Sequence, residues 1–275
     1  MPMITRKRKL ILQLLSSSGG ISRLRFVKLM FLISGDQPSY HFVPYHFGPF
    51  SFELYRDLNW LIDRGYVVEN GGLDLTDKGM GIMDMDIDHF ILKDKVNEKL
   101  DLTDKELIGE IYDEHPWYTL FSIYEKKQIY QRNETGIVSI GYEGRSADEF
   151  LNTLLKEKVQ VLMDVRKNPF SRKFGFSKKK LVDHCGKLGI EYQHHPELGV
   201  DGALRKNLDT YEDYQRLFME YDRGLDEKKE KIQWITDLAK EKKIALFCFE
   251  RDPGYCHRNV IVERFRQNDM EVKDL

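Results

Sequence analysis

The chain has 275 residues, 41% of them hydrophobic and 32% charged, with a formal net charge of −2 at pH 7. It is long enough for two domains with real cores, and its charge is too balanced to define a class of partner. Its three cysteines include no Cys-x-x-Cys pair, which argues against a disulfide framework. With no signal peptide and no apolar run of membrane-spanning length, the sequence predicts a cytoplasmic protein that does not contact a membrane.

Charge is distributed unevenly along the chain. Residues 1–35 carry seven basic side chains and no acidic one, and residues 166–187 carry eight basic side chains against Asp183 alone. Residues 84–114 carry eleven acidic side chains and four lysines. The two basic segments predict a surface that binds a polyanion, with DNA favoured over RNA; the alternative is ordinary solvated helix faces.

The first 83 residues follow the order of a winged helix-turn-helix, an α+β arrangement. Apolar spacing predicts helices over 6–15, 22–33 and 51–65, and an irregular aromatic segment over 41–50. A hairpin over 66–76 follows and would be the wing. Winged helices often place a helix in the DNA major groove, but the predicted helix 51–65 is not especially basic.

Residues 84–135 are predicted to form a helical connector. One helix is predicted over 86–100, and the capping box Thr103-x-x-Glu106 opens another that extends to residue 114. The polar stretch 128–135 is predicted to be the joint to the next domain.

Two segments of the first part carry a resemblance to a known family. They are Lys-Leu-Met-Phe at 28–31 and Tyr-His-Phe-Gly-Pro-Phe at 45–50. With these segments, residues 6–124 resemble the Panacea domain found in some antitoxins and phage-related proteins. The resemblance implies a role in binding either DNA or a protein partner.

From residue 136 to 275, strands alternate with helices. The predicted strands are at 137–140, 159–165, 191–194 and 244–247, and the predicted helices are at 146–156, 177–187, 211–221, 226–240 and 259–265. The alternation predicts an α/β domain with a mainly parallel sheet covered by helices.

Polar side chains follow three of these strands, where each strand ends. They are Tyr142 and Glu143 after the first strand, Asp164, Arg166 and Arg172 after the second, and Glu250, Cys256, His257 and Arg258 after the last. Ligands of open α/β sheets bind at the carboxyl ends of the strands. If the strands are parallel neighbours, the three loops meet there and form one site.

Arginines at strand ends are suited to binding a phosphate, because the planar guanidinium bonds two oxygens at once. Arg166, Arg172 and Arg258 are therefore predicted to bind one nucleotide phosphate, with Tyr142 and Asp164 beside them. The alternative for Arg166 is a structural ion pair with Asp164.

The same loops carry candidates for proton transfer and nucleophilic attack. Glu250 and Glu143 are candidate general acids or bases, with a pKa that aromatic shielding would raise and an arginine partner would lower. Cys256 is a candidate nucleophile, because a helix N-terminus lowers a thiol pKa. Neighbouring helical residues point about 100° apart, so His257 need not contact it, and a buried thiol is the alternative. Glu197, after His194-His195, is a further candidate for lining the site.

The sequence predicts no metal site. The spacing of Cys248, Cys256 and His257 matches no standard zinc motif. The pattern indicates no particular cofactor.

Residues 137–265 resemble the bacterial family known as domain of unknown function 488. The matching motifs are Gly141-Tyr142-Glu143, Asp164-Val165-Arg166 with Pro169 and Ser171-Arg172, Gly189-Ile190 with Tyr192, Glu197-Leu198-Gly199, Cys248 with Glu250, and Cys256-His257-Arg258. The family more often has His-Ser at the positions of Tyr142 and Glu143. The resemblance implies a fold but no reaction, so function must be argued from the site.

The leading hypothesis is an enzyme directed to nucleic acid. The first module would recruit DNA or a partner, and the second would act as a hydrolase or glycosidase on a nucleotide, a modified base or a phosphate ester. An extruded base would stack on the aromatic side chains, and the two resemblances suggest a setting in phage defence. The alternatives are a ligand-responsive DNA-binding regulator without catalysis and a protein-binding module of toxin–antitoxin type.

Overall fold

The computed structural model describes residues 4–34, 38–82, 96–205 and 208–275. The chain forms two compact units, Met1–Tyr130 and Gln131–Leu275. The predicted boundary at residues 83 and 84 and most of the predicted helix 86–100 lie outside the described residues, although residues 96–100 are helical.

Helices of the first unit begin where the sequence places capping residues. They are α1 (Arg6–Ser18), α2 (Arg23–Ile33), α3 (Phe52–Asp63), the short α4 (Asp77–Met80) and α5 (Asp104–Glu114). The Ser22 hydroxyl accepts a hydrogen bond from the Arg25 backbone N–H at 3.1 Å, as an N-cap does. The predicted capping box of Thr103 and Glu106 is present at the start of α5.

Two small antiparallel sheets complete the described part of the first unit. The predicted hairpin forms β3 (Val67–Glu69) and β4 (Leu73–Leu75). A second hairpin, β1 (Val43–Tyr45) with β2 (Gly48–Phe50), occupies the segment predicted to be irregular. Its prolines, Pro44 and Pro49, pair with each other and provide no N–H group, so the segment lacks a strand signature. The helices α1, α2 and α3 and the β3–β4 hairpin occur in the predicted order, and the finer winged-helix assignment stays a prediction.

Basic side chains of α1 and α2 are engaged by partners within the first unit. Ion pairs join Lys7 to Glu53, Arg8 to Asp57, Arg23 to Glu69 and Arg25 to Asp104, at 2.7–3.1 Å. The Lys28 ammonium is buried and donates to the Pro49 carbonyl at 2.9 Å. This pairing weakens the sequence argument that residues 1–35 present a polyanion-binding face.

The second unit contains a five-stranded parallel sheet, which confirms the α/β class predicted for it. Its strands are β5 (Gly136–Gly141), β6 (Val161–Asp164), β7 (Glu191–His194), β8 (Lys243–Cys248) and β9 (Val272–Asp274), in the spatial order β7-β6-β8-β5-β9. Each pairing is parallel. The edge strand β9 was not predicted, because its three residues give no pattern.

Helices cover both faces of this sheet. They are α6 (Ala147–Lys156), α7 (Lys178–Lys187), α8 (Tyr211–Leu225), α9 (Lys229–Glu241) and α10 (His257–Arg266). Alternate residues of β8 face opposite ways: Ile244 and Leu246 join the core cluster with residues of α8, α9 and α10, whereas Phe247 contacts Phe150 of α6 at 5.0 Å between ring centroids. Burial on both faces explains the continuous apolar run of β8.

Within the described ranges, no helix has both the length and the apolar character that crossing a membrane requires.

Candidate functional site

The carboxyl ends of β5, β6 and β8 lie side by side at one edge of the sheet. Gly141 pairs with Cys248, and Asp164 pairs with Phe247. The loops after these strands are joined by backbone hydrogen bonds, such as Glu143 N to Phe249 O at 2.9 Å. The three polar segments therefore meet as the sequence predicted.

Gly141 permits the closest of these approaches. A Cβ atom at this position would lie 1.8 Å from the Glu250 carbonyl oxygen, a distance that no backbone tolerates. We therefore expect Gly141→Ala to displace the Glu250 loop and to lower the free energy of unfolding by about 1–3 kcal/mol, as overpacking does. Urea denaturation measures this change. Gly186→Ala in α7 is the matched control, because nothing lies within 4 Å of its added Cβ; an equal loss in both variants would contradict the argument.

Arg166 is part of a buried ion pair and is not available for a phosphate. Its guanidinium donates to both oxygens of Asp164, Nε to Oδ1 at 2.8 Å and one terminal nitrogen to Oδ2 at 2.6 Å. Arg166 is 6% exposed and Asp164 is fully buried. Burial opposes the charge, but the hydrogen bonds to Asp164 outweigh it and raise the pKa of Arg166. This is the structural alternative that the sequence left open.

Tyr142 belongs to the aromatic core beside that pair. Its ring stacks on Phe176 at 4.2 Å between centroids, and its hydroxyl accepts from Arg166 at 3.2 Å. The residue is 4% exposed, so a role in contacting substrate does not fit its position.

Arg258 holds the loop after β8. It is 1% exposed, and its Nε donates to the Ser139 hydroxyl at 2.9 Å. Its terminal nitrogens donate to the carbonyls of Glu250 and Arg251. Arg166 and Arg258 are thus engaged by partners within the unit and Arg172 lies on the exposed surface, so these positions do not support the prediction that the three arginines bind one phosphate.

Glu250 lies at the centre of a cluster that the sequence predicted only in part. Its Oε1 accepts from Arg205 at 3.1 Å, and its Oε2 accepts from the Cys248 thiol at 3.3 Å. Burial raises the pKa of Glu250, but hydrogen bonding by the Cys256 thiol and the backbone and the charge of Arg205 outweigh it, and the net pKa lies below its usual value. The carboxylate is therefore ionised at neutral pH.

The Nδ1 atom of His257 faces this cluster, and the contacts of the ring define its tautomer. Its Nε2 lies 3.2 Å from the Val165 carbonyl oxygen. Because a carbonyl only accepts, Nε2 carries the proton and the Nδ1 lone pair is directed elsewhere. Nδ1 accepts from Arg205 at 3.0 Å and lies 3.8 Å from the Cys248 sulfur.

Cys256 is the N-cap residue of α10, as the sequence suggested, but it is fully buried. Burial raises the pKa of its thiol well above the usual value, and the neighbouring Cys248 thiol adds to the shift. The loss of hydration thus raises the pKa of this thiol by more than the helix N-terminus was expected to lower it. A free thiolate nucleophile at Cys256 does not fit these surroundings.

A cavity of about 240 Å³ opens beside Glu250 and His257. It is lined by Arg205, Leu208, Tyr214, Leu217, Phe218, Glu250, Tyr255 and His257. The rings of Tyr214 and Tyr255 meet edge to face at 5.2 Å. Pockets for drug-sized ligands are about 300–1,000 Å³, so this cavity fits a single ring system or a small anion.

Glu143 and Glu197 are not among the lining residues of this cavity. The exposed Glu143 accepts from the Arg251 backbone N–H at 3.1 Å and steadies that loop. Glu197 contacts His195 at 3.2 Å and Lys231 at 3.4 Å. Both carboxylates were predicted to join the site, and the structure gives each of them a different partner.

Arg205 is the residue that sequence reasoning missed. It ends a 3₁₀ turn, Gly202–Arg205, in a stretch without strand or helix periodicity. No local pattern connects it with Glu250, which is 45 positions away. Tyr214, on α8, also forms part of the cavity wall.

Residues 146–265 match the family model described as "Domain of unknown function DUF488". The match supports the resemblance of the second unit to that family and includes every residue that lines the cavity. Neither a curated protein nor a solved structure matches the chain. The resemblance of the first unit to the Panacea domain is not confirmed.

Proposed function

We propose that the second unit is an enzyme that acts on a nucleotide or on nucleic acid, with the reacting group held in the 240 Å³ cavity. The proposal rests on one arrangement. The carboxylate of Glu250 lies 3.1 Å from the guanidinium of Arg205 in the wall of a cavity that also contains tyrosine rings. The cavity lies at the edge of the parallel sheet where the strands end. Such edges are where ligands of α/β folds bind.

Each cavity group has a role in this proposal. Glu250 is the general base that takes a proton from the attacking water in a hydrolytic or glycosidic cleavage. Arg205 binds an anionic oxygen of the substrate, in place of the arginines first considered. Tyr214 and Tyr255 supply ring faces and edges against which a base packs.

The surface formed by residues 167–180 supports a nucleic-acid substrate. Its exposed basic side chains are Lys167, Arg172, Lys173, Lys178, Lys179 and Lys180. Phe170 lies among them and is 68% exposed. Basic side chains contact the phosphate backbone and an exposed ring stacks on an unpaired base. In this proposal the first unit recruits DNA or a partner, through an arrangement of winged-helix type.

Glu250→Gln is expected to lower turnover by about 10²- to 10⁴-fold, the usual contribution of a general acid or base, while nucleotide binding is retained. The measurement is product analysis by mass spectrometry with ribo- and deoxyribonucleoside monophosphates and single-stranded DNA as probes. Binding of the same probes is measured by calorimetry.

The control is Glu220→Gln on the exposed surface of α8. It changes the net charge by the same amount as Glu250→Gln, but Glu220 does not line the cavity. Turnover by Glu250→Gln at the wild-type rate would exclude Glu250 as the base. Absence of both binding and turnover in the wild-type protein would exclude the nucleotide substrates.

A ligand-responsive regulator is the second candidate, and one observation favours it. Both oxygens of Glu250 already accept hydrogen bonds, from Arg205 and Cys248, which suits a fixed binding group. If the wild-type protein binds a probe nucleotide without turnover and its DNA affinity changes with occupancy, the regulator is the correct function.

A further inference from the structure

Three metal-ligating side chains meet behind the cavity wall. Cys248 ends β8, and Cys256 and His257 stand at the start of α10. Their potential ligand atoms, two sulfurs and one imidazole nitrogen, all lie within 4.8 Å of one another, and all three residues are buried. We propose that Cys248, Cys256 and His257 bind one Zn²⁺ ion, with the fourth coordination position directed to Glu250 and the cavity.

The distances between the donor atoms suit a tetrahedral ion. Zinc–sulfur bonds of about 2.3 Å and zinc–nitrogen bonds of about 2.0 Å place sulfur and nitrogen about 3.5 Å apart. Cys248 Sγ and His257 Nδ1 are separated by 3.8 Å. The other two donor–donor distances are at most 4.8 Å, so side-chain rotations are needed to close the site around an ion.

The orientation of His257 is the one that a metal ligand requires. The bond from Nε2–H to the Val165 carbonyl fixes the ring and places Nδ1, which accepts from Arg205, 3.8 Å from the Cys248 sulfur. Metal-ligating histidines commonly donate their other N–H to a backbone carbonyl or a carboxylate, which fixes the tautomer.

The spacing of the three residues along the chain matches no standard zinc motif because the donors come from two different secondary-structure elements. Cys256 has an extended backbone, φ −123° and ψ 130°, and only His257 begins the helix. The separation of about 100° between successive helical residues therefore does not apply to this pair. The third donor comes from the neighbouring strand end, which no short motif encodes.

Charge balance also favours an ion of charge +2. Two thiol protons leave when the ion binds, so the net charge of the buried cluster is unchanged, with Glu250 still paired to Arg205. Soft thiolate ligands select zinc over magnesium or calcium.

Arg205 has to move for the ion to enter, because its guanidinium donates to Nδ1. Its side chain is 36% exposed, and its bond to Glu250 can persist without the one to His257. Three protein ligands with one open position are typical of catalytic zinc sites. A zinc-bound water would pass one proton to the Glu250 carboxylate and remain as hydroxide; this use rests on the proposed function, whereas binding of the ion does not.

The test is the metal content of the full-length protein, purified without chelator and measured by plasma mass spectrometry. We expect one zinc per chain. Cobalt reconstitution of the chelator-treated protein is expected to give tetrahedral ligand-field bands and a thiolate charge-transfer band. Cys248→Ser and Cys256→Ser should each lose the charge-transfer intensity of one sulfur and most of the bound metal.

The matched control is Cys185→Ser. Cys185 is also buried, on α7, and burial raises the pKa of its thiol to about 12, but it lies outside the cluster. It should keep the full zinc content. Circular dichroism checks that each variant is folded.

Failure of the folded wild-type protein to bind zinc or cobalt, or retention of metal by both cluster variants, would overturn the zinc site. Zinc bound without any turnover would overturn the enzyme proposal alone. Turnover that survives complete removal of metal would overturn only the use of zinc in catalysis.

Discussion

Asp164→Ala is expected to lower the free energy of unfolding by about 3–5 kcal/mol, the usual effect of leaving a buried charge without its partner. Asp164 is fully buried and accepts hydrogen bonds from Arg166 and from the Tyr192 hydroxyl, the latter at 2.6 Å. Its removal leaves the Arg166 guanidinium in a pocket of aromatic rings, 4.8 Å from the centroid of Phe247. Urea denaturation followed by circular dichroism measures the loss.

A double variant separates the charge from the packing. Asp164→Leu combined with Arg166→Met removes both charges, and replacing a buried pair by apolar groups is often neutral or stabilising. We expect the double variant to be more stable than Asp164→Leu or Arg166→Met alone. If the loss of stability in the double variant equals the sum of the losses in these two single variants, the pair is not coupled and the interpretation is incorrect.

Lys28→Met is expected to change how the stability of the protein depends on pH. Lys28 is 3% exposed, and burial lowers the pKa of its ammonium from 10.5 to about 7. Between pH 7 and 10.5 the unfolded chain therefore binds a proton at Lys28 that the folded protein does not bind. Titration of Lys28 therefore does not lower the free energy of unfolding above pH 10.5. Below pH 10.5 the free energy of unfolding falls as the pH decreases, and it becomes constant below pH 7.

The expected difference is large enough to measure. From pH 7 to pH 9 the free energy of unfolding of the wild-type protein should rise by about 2 kcal/mol more than that of Lys28→Met, at about 1.4 kcal/mol per pH unit. The comparison between variants cancels other titrating groups. Lys9→Met is the control, because it removes a lysine of α1 that is only partly buried and shows the effect of losing a lysine as such. Parallel curves for wild type and Lys28→Met would show that Lys28 titrates normally.

Periodicity predicted most of the regular structure because the core faces of these helices and strands are continuous. The apolar run at 244–247 and the helix predicted over 146–156 are examples, and both are present, as β8 and α6. The β1–β2 hairpin and β9 were missed, since their pairing depends on tertiary neighbours. Parallel strands with helices between them defined the α/β class without any side-chain detail.

The sequence predicted the location of the candidate site better than it predicted the role of each residue there. The sequence indicated that the loops after β5, β6 and β8 meet, and it selected Glu250 and His257, which line the cavity. It left open whether Asp164 pairs with Arg166, and it gave no indication that Ser139 accepts from Arg258. It also could not predict the contact between Arg205 and Glu250, because residues in irregular segments follow no periodic pattern.

The strand order β7-β6-β8-β5-β9 has a consequence for how the protein is made. β8 lies between β5 and β6, yet it begins at Lys243, after β5, β6 and β7 have already been synthesised. While the ribosome is still making the preceding helices, both neighbours of β8 expose unpaired edges, which are prone to aggregation. The sheet is therefore expected to be completed only after residues 243–248 have left the ribosome, and nascent chains released before residue 243 should depend on chaperones to stay in solution.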